Sequence, residues 1–76
     1  MKIHPKENLL AVMLSKGLSQ QSISEQTGIT YVTINKAFND RGVSAKTAQA
    51  ICKVLNVEFD NIFFVSSDNK SYQKQA

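Results

Sequence analysis

The chain has 76 residues, nine Lys and Arg against six Asp and Glu for a net charge of +3, and a hydrophobic share of 42%. That length holds one small domain, and the composition is that of an ordinary globular fold rather than a disordered or fibrous chain. One Cys cannot close an internal disulfide, no apolar run approaches the roughly 20 residues that span a bilayer, and Met1 to Glu7 lack the apolar core of a signal peptide, so a cytoplasmic protein with no membrane partner is expected.

Pro5 suits a first helical turn, where its missing N–H costs nothing, and Glu7 suits the positive end of a helix dipole. Leu9, Val12, Met13 and Lys16 then step at three and four residues, with Leu10 and Leu14 alongside, until Gly17 offers a left-handed stop. The pattern predicts a first helix over about residues 5–16, with two apolar flanks to cover. Ser19 follows as an N-cap type, whose oxygen can accept an orphan N–H of the next turn. The helix it opens, about residues 20–26, is polar except for Ile23 and too short to survive without tertiary packing.

Gly28 ends that helix, and Thr30 is again an N-cap type ahead of Tyr31 to Phe38. The β-branched residues of this stretch make a strand a competitor on propensity alone; the cap and the preceding short helix favour a helix. Ile34, with Ala37 or Phe38, then faces a core. Asn39-Asp40-Arg41-Gly42 is a loop by turn chemistry, and Ser44 caps the clearest helix of the chain. Ala48, Ile51, Cys52 and Leu55 form its buried stripe, and Asn56 closes it. Val57 and a short turn around Asp60, Asn61, Ile62 and Phe63 add an apolar lid. Residues 66–76 lack periodicity and are expected to form a flexible tail beyond a folded domain of residues 1–65. With Lys70 and Lys74 against Asp68, the tail carries +1 of the charge and leaves +2 on the folded part.

Catalytic and metal chemistry find no purchase. The chain has one His and one Cys, with His4 near a terminus and Cys52 in a buried stripe, and it has no glycine-rich phosphate loop. A binding module with no cofactor, no metal and no small-molecule substrate is expected, not an enzyme.

Two short helices meeting at Gly28 with about three residues between them form a helix-turn-helix. The run Gly17-Leu18-Ser19-Gln20, the pair Ile23-Ser24, the turn Gly28-Ile29-Thr30 and Ile34 resemble the phage repressor and Cro-like (xenobiotic-response-element, lambda repressor-like) DNA-binding family. Leu55-Asn56-Val57 and Ile62-Phe63 look like the fourth and fifth helices of that family. The resemblance covers about residues 6–64 and implies an all-α, compact five-helix lambda repressor-like domain with the helix-turn-helix in helices two and three. Ile23 and Ile34 would lock the two helices, Ser24 is small enough for their approach, and Gly28 permits a positive φ.

The same resemblance implies double-stranded DNA as partner and transcriptional regulation, typically repression, as function. Ser19 and Gln20 would touch phosphate, while Thr30, Tyr31, Val32, Thr33, Asn35 and Lys36 would face the major groove. Asn can pair with adenine, Lys with guanine, and Val with a thymine methyl. Arg41 and Lys46 stand where related proteins grip the backbone, and Lys2 and Lys6 are candidates for an N-terminal arm. One recognition helix reads only a few base pairs, so a homodimer on half-sites about 34 Å apart is expected. Ile62, Phe63, Phe64 and Val65 are its candidate contact. The alternative is a protein-interaction module, an antitoxin or adapter on the same scaffold. It draws on the apolar pair Tyr31-Val32, where the family often carries Gln, Arg or Ser, and on the modest charge.

Overall fold

The computed structural model describes residues 2–66. In chain order it contains β1 (Lys2–Pro5), α1 (Leu9–Ser15), α2 (Gln20–Thr27), α3 (Tyr31–Phe38), α4 (Ala45–Leu55), α5 (Phe59–Ile62) and β2 (Phe63–Ser66). The five expected helices are all present. A two-stranded antiparallel ribbon was not expected: it pairs Lys2 with Ser66, Ile3 with Val65, His4 with Phe64 and Pro5 with Phe63.

The ribbon corrects both ends of the sequence reading. Pro5 does not enter a first helical turn; it closes β1, where a residue without an N–H is tolerated because the strand lies at a sheet edge. The chain then turns, and α1 begins at Leu9 rather than near residue 5. Three bonds fix this junction against α5: the Lys6 N–H donates to the Ile62 carbonyl at 2.8 Å, the Asn8 amide to the Asn61 carbonyl at 2.8 Å, and the Lys6 ammonium to the Asp60 carbonyl. At the other end, Ser66 belongs to β2 rather than to the expected tail. Residues 67–76, the rest of that tail, lie outside the described residues.

The core gathers Leu9 and Met13 of α1, Ile23 of α2, Ile34 and Ala37 of α3, four side chains of α4 (Ala48, Ile51, Cys52 and Leu55), then Ile62 and Phe63. The stripe read on the fourth helix is therefore buried as expected. Of the two flanks of α1, Leu9 and Met13 face this core while Leu10 and Leu14 remain exposed.

Helix ends follow local chemistry closely. Ser19, Thr30 and Ser44 are N-caps whose hydroxyls accept the N–H of Ser22, Thr33 and Thr47. At the C-terminal ends of α1 and α4, Gly17 and Asn56 adopt φ of 72° and 58°. The next N–H in each case reaches back to a helix carbonyl, Leu18 to Met13 and Val57 to Cys52, which satisfies groups the helix itself leaves orphaned.

Candidate nucleic-acid interface

The turn between α2 and α3 is held from both sides by side chains of α2. Gly28 takes φ of 78°, which a side chain would resist, and its N–H donates to the Ser24 carbonyl. The Thr27 hydroxyl donates to the Ile23 carbonyl at 2.7 Å and accepts the Ile29 N–H at 3.1 Å. The Ser24 hydroxyl donates to the Ile29 carbonyl. Both backbone groups of Ile29 are thus satisfied by α2, so α3 leaves the turn in one direction. Ile23 and Ile34, both fully buried, lock the two helices together. The part of Thr27 was missed in the sequence, where a Thr before Gly reads only as a helix end.

On this frame α3 keeps a face open. Tyr31 and Val32 are 50% and 62% exposed, Thr30 and Lys36 are exposed, and Thr33 is half-buried. Ser19 is exposed at the start of α2, beside half-buried Gln20. The hydroxyls of Ser19 and Thr30 are engaged as caps, so phosphate oxygens at these positions would meet backbone N–H groups of the first turns as well as hydroxyls.

Asn35 is partly engaged within the protein. It is half-buried; its amide donates to the Gln20 carbonyl oxygen at 2.9 Å, and its own carbonyl oxygen accepts from Asn39 at 3.1 Å. One donor and one acceptor site are therefore occupied within the protein, which leaves less of Asn35 for two-point pairing with adenine. The bond to Gln20 instead orients that side chain's amide, whose oxygen accepts from Asn35. Asn39, also bonded to the Asn35 backbone carbonyl at 2.8 Å, is the positioning residue that the sequence reading did not single out.

Arg41 and Lys46 are exposed on the loop after α3 and in the first turn of α4. Among the described residues, the sole close contact between a basic and an acidic side chain joins His4 and Asp40 at 2.7 Å. Lys36, Arg41 and Lys46 have no carboxylate partner among the described residues. The candidate dimer residues divide. Ile62 and Phe63 are fully buried in the core and are not available as surface, whereas Phe64 and Val65 are 43% and 47% exposed on β2.

No group of three His, Cys, Asp or Glu side chains among the described residues could hold a metal ion. Cys52 is buried in the core, and that burial pushes its thiol above the ordinary range, with a lesser contribution from the nearby Glu58 charge. No helix of the described residues is long and apolar enough to cross a membrane.

A helix-turn-helix family model matches residues 9–62, from the first residue of α1 to the last of α5. The chain belongs to the lambda repressor-like helix-turn-helix family. Both strands of the ribbon fall outside the matched span. Among solved structures, the chain is similar to the transcriptional regulator VanUg, at 22% identity and a TM-score of 0.66 over 90% of this chain and 92% of that one. This likeness speaks for the fold. Among curated proteins no relative matches the sequence.

Proposed function

We propose that the chain is a sequence-specific regulator of transcription that binds double-stranded DNA as a homodimer and acts as a repressor. The observation that carries this reading is the open face of α3, where Tyr31, Val32, Thr33 and Lys36 stand on a helix held by a braced turn and a locked isoleucine pair. In this reading α3 enters the major groove. Lys36 donates to guanine or to phosphate, Val32 meets a thymine methyl, and Tyr31 stacks or gives its hydroxyl to phosphate. Ser19, Gln20, Thr30, Arg41 and Lys46 hold the backbone, and Asn35 supports Gln20 from behind. Repression is the expected outcome where the occupied site overlaps a promoter.

A second copy of the chain completes the affinity that one reading helix lacks. Phe64 and Val65 supply the seam, with buried Ile62 and Phe63 anchoring the strand that displays them. Phe64→Glu is expected to yield monomers in sedimentation and to weaken binding to a two-half-site operator much more than to one half-site. Unchanged sedimentation and operator affinity would exclude this seam.

Selection of bound duplexes from a random library tests the reading as a whole. The expected product is a pseudo-palindrome with half-sites one helical turn apart and affinity that falls steeply with salt. The exposed Tyr31-Val32 pair also suits a protein partner; failure to bind any duplex at low salt would decide for that adapter role.

A further inference from the structure

The loop after the recognition helix is closed in an unusual way. The Arg41 N–H donates to the Lys36 carbonyl at 2.8 Å and the Asp40 N–H to the Ala37 carbonyl at 3.4 Å, the paired bonds of a Schellman closure. The left-handed residue of that closure is Asp40, at φ of 56°. Glycine is the usual occupant, and the comparable ends of α1 and α4 use Gly17 and Asn56. An aspartate here carries a conformational cost that calls for a reason.

The reason lies in the ribbon. His4 of β1 sits 2.7 Å from the Asp40 carboxylate through Nδ1 and 2.8 Å from the Ser66 hydroxyl through Nε2. A carboxylate only accepts, so Nδ1 carries the hydrogen and donates to Asp40, while Nε2 shares its own hydrogen bond with the Ser66 hydroxyl. Phe64 stacks on the ring at 5.1 Å between centroids. Both strands therefore orient His4, and His4 orients Asp40. A cleft of about 840 Å³ opens beside this contact, between β1, the loop and α4. The bridge spans a gap that packing does not fill. His4, Phe64 and Ser66 all lie outside the span matched by the family model.

We infer that His4 is a positioning residue for the grip on DNA: through Asp40 it fixes the backbone from which Arg41 reaches phosphate at the end of the recognition helix. The inference rests on the DNA-binding reading. The helix-turn-helix supplies the reading face, and the ribbon, an addition to it, braces the loop that holds the adjoining phosphate.

Asp40→Gly separates positioning from folding, because glycine suits the left-handed site while removing the acceptor for His4. The probe is a random-sequence duplex titrated over a range of salt, since phosphate contacts act on any sequence. Asp40→Gly is expected to match or exceed the wild-type melting temperature, to bind about three- to tenfold more weakly, and to show a salt slope shallower by about one phosphate contact. In an Arg41→Ala background it is expected to have no further effect. His4→Phe, which keeps an aromatic ring against Phe64, is expected to reproduce the shallower slope, and Asp40→Asn, which keeps an acceptor, to restore much of the affinity. Wild-type affinity and slope in Asp40→Gly, or an undiminished effect in the Arg41→Ala background, would overturn the inference and leave the DNA reading standing. Absence of salt-dependent binding by the wild type would overturn both.

Discussion

Val32 and Ile34 sit two residues apart on α3, yet truncating them should break different things. Ile34 is fully buried between α2 and α4, and Ile34→Ala removes three carbons. At about 0.8 kcal/mol per buried methylene-sized group, with a further term for the cavity left behind, the expected loss is about 3–4 kcal/mol. A fold of this size has about 3–10 kcal/mol of stability to lose, so the melting temperature should fall by about 12–30 °C. Val32 is 62% exposed. The little apolar burial that Val32→Ala gives up is offset by alanine's better helix propensity, worth about 0.5 kcal/mol, so its stability should stay within about 0.5 kcal/mol of wild type. Its effect should appear in binding, as a loss of about three- to tenfold on a selected operator carrying a thymine at the contacted position. Urea titrations of both variants, with duplex binding measured below the transition, make the comparison. If Val32→Ala destabilised by more than about 1.5 kcal/mol, or Ile34→Ala by less than about 1 kcal/mol, the assignment of one face of α3 to the core and the other to DNA would fail.

Lys36→Ala should weaken duplex binding, and the sequence dependence tells how: uniform loss with a salt slope shallower by about one marks a phosphate contact, while loss confined to the operator marks a base contact. Equal affinity in wild type and a Tyr31→Ala/Lys36→Ala double variant would reject this surface as the reader. Ser44→Ala removes the N-cap of α4 and the hydroxyl partner of buried Thr47; a loss of about 1–2 kcal/mol is expected in thermal melts, against a negligible change for a non-capping serine such as Ser15. Cys52 should react with iodoacetamide at neutral pH at least about tenfold more slowly than in the urea-unfolded chain. Because its folded-state thiol titrates above the ordinary range, its neutral form contributes stability that is fully present below that range and is lost as pH rises through the raised value. Denaturant midpoints should therefore fall on the alkaline side in the wild type and fall less in Cys52→Ala.

The helices were legible because their signals are local. Ser19, Thr30 and Ser44 each accept an N–H three residues ahead, and Gly17, Gly28 and Asn56 each take the positive φ that their residue types permit. The ribbon was not legible, because each strand has only four residues and its partner lies about sixty positions away. With no long alternation to read, Pro5 looked like a helix start, and Phe63 looked like surface beside Phe64 although the strand buries one and exposes the other. The engagement of Asn35 within the protein was not legible for a related reason. Its residue type suits adenine, but its engagement is decided by Gln20, fifteen positions away across the helix pair.

Those misses concern how the reading surface is supported. With only about +2 on the folded part, bulk attraction contributes little, so the proposed DNA reading draws its affinity from a few cations held in register. Register in turn needs fixed backbone at both ends of α3. At its start, Thr27 and Ser24 satisfy Ile29; at its end, Asp40 and Arg41 close the loop on α3 carbonyls, and the ribbon adds a side-chain contact through His4 and Asp40. The strand that presents Phe64 to solvent also stacks Phe64 on His4. On the proposed reading, a second copy seated on Phe64 would therefore press on the imidazole that bonds Asp40 after α3, so pairing of two chains and the grip of each on DNA would draw on one contact.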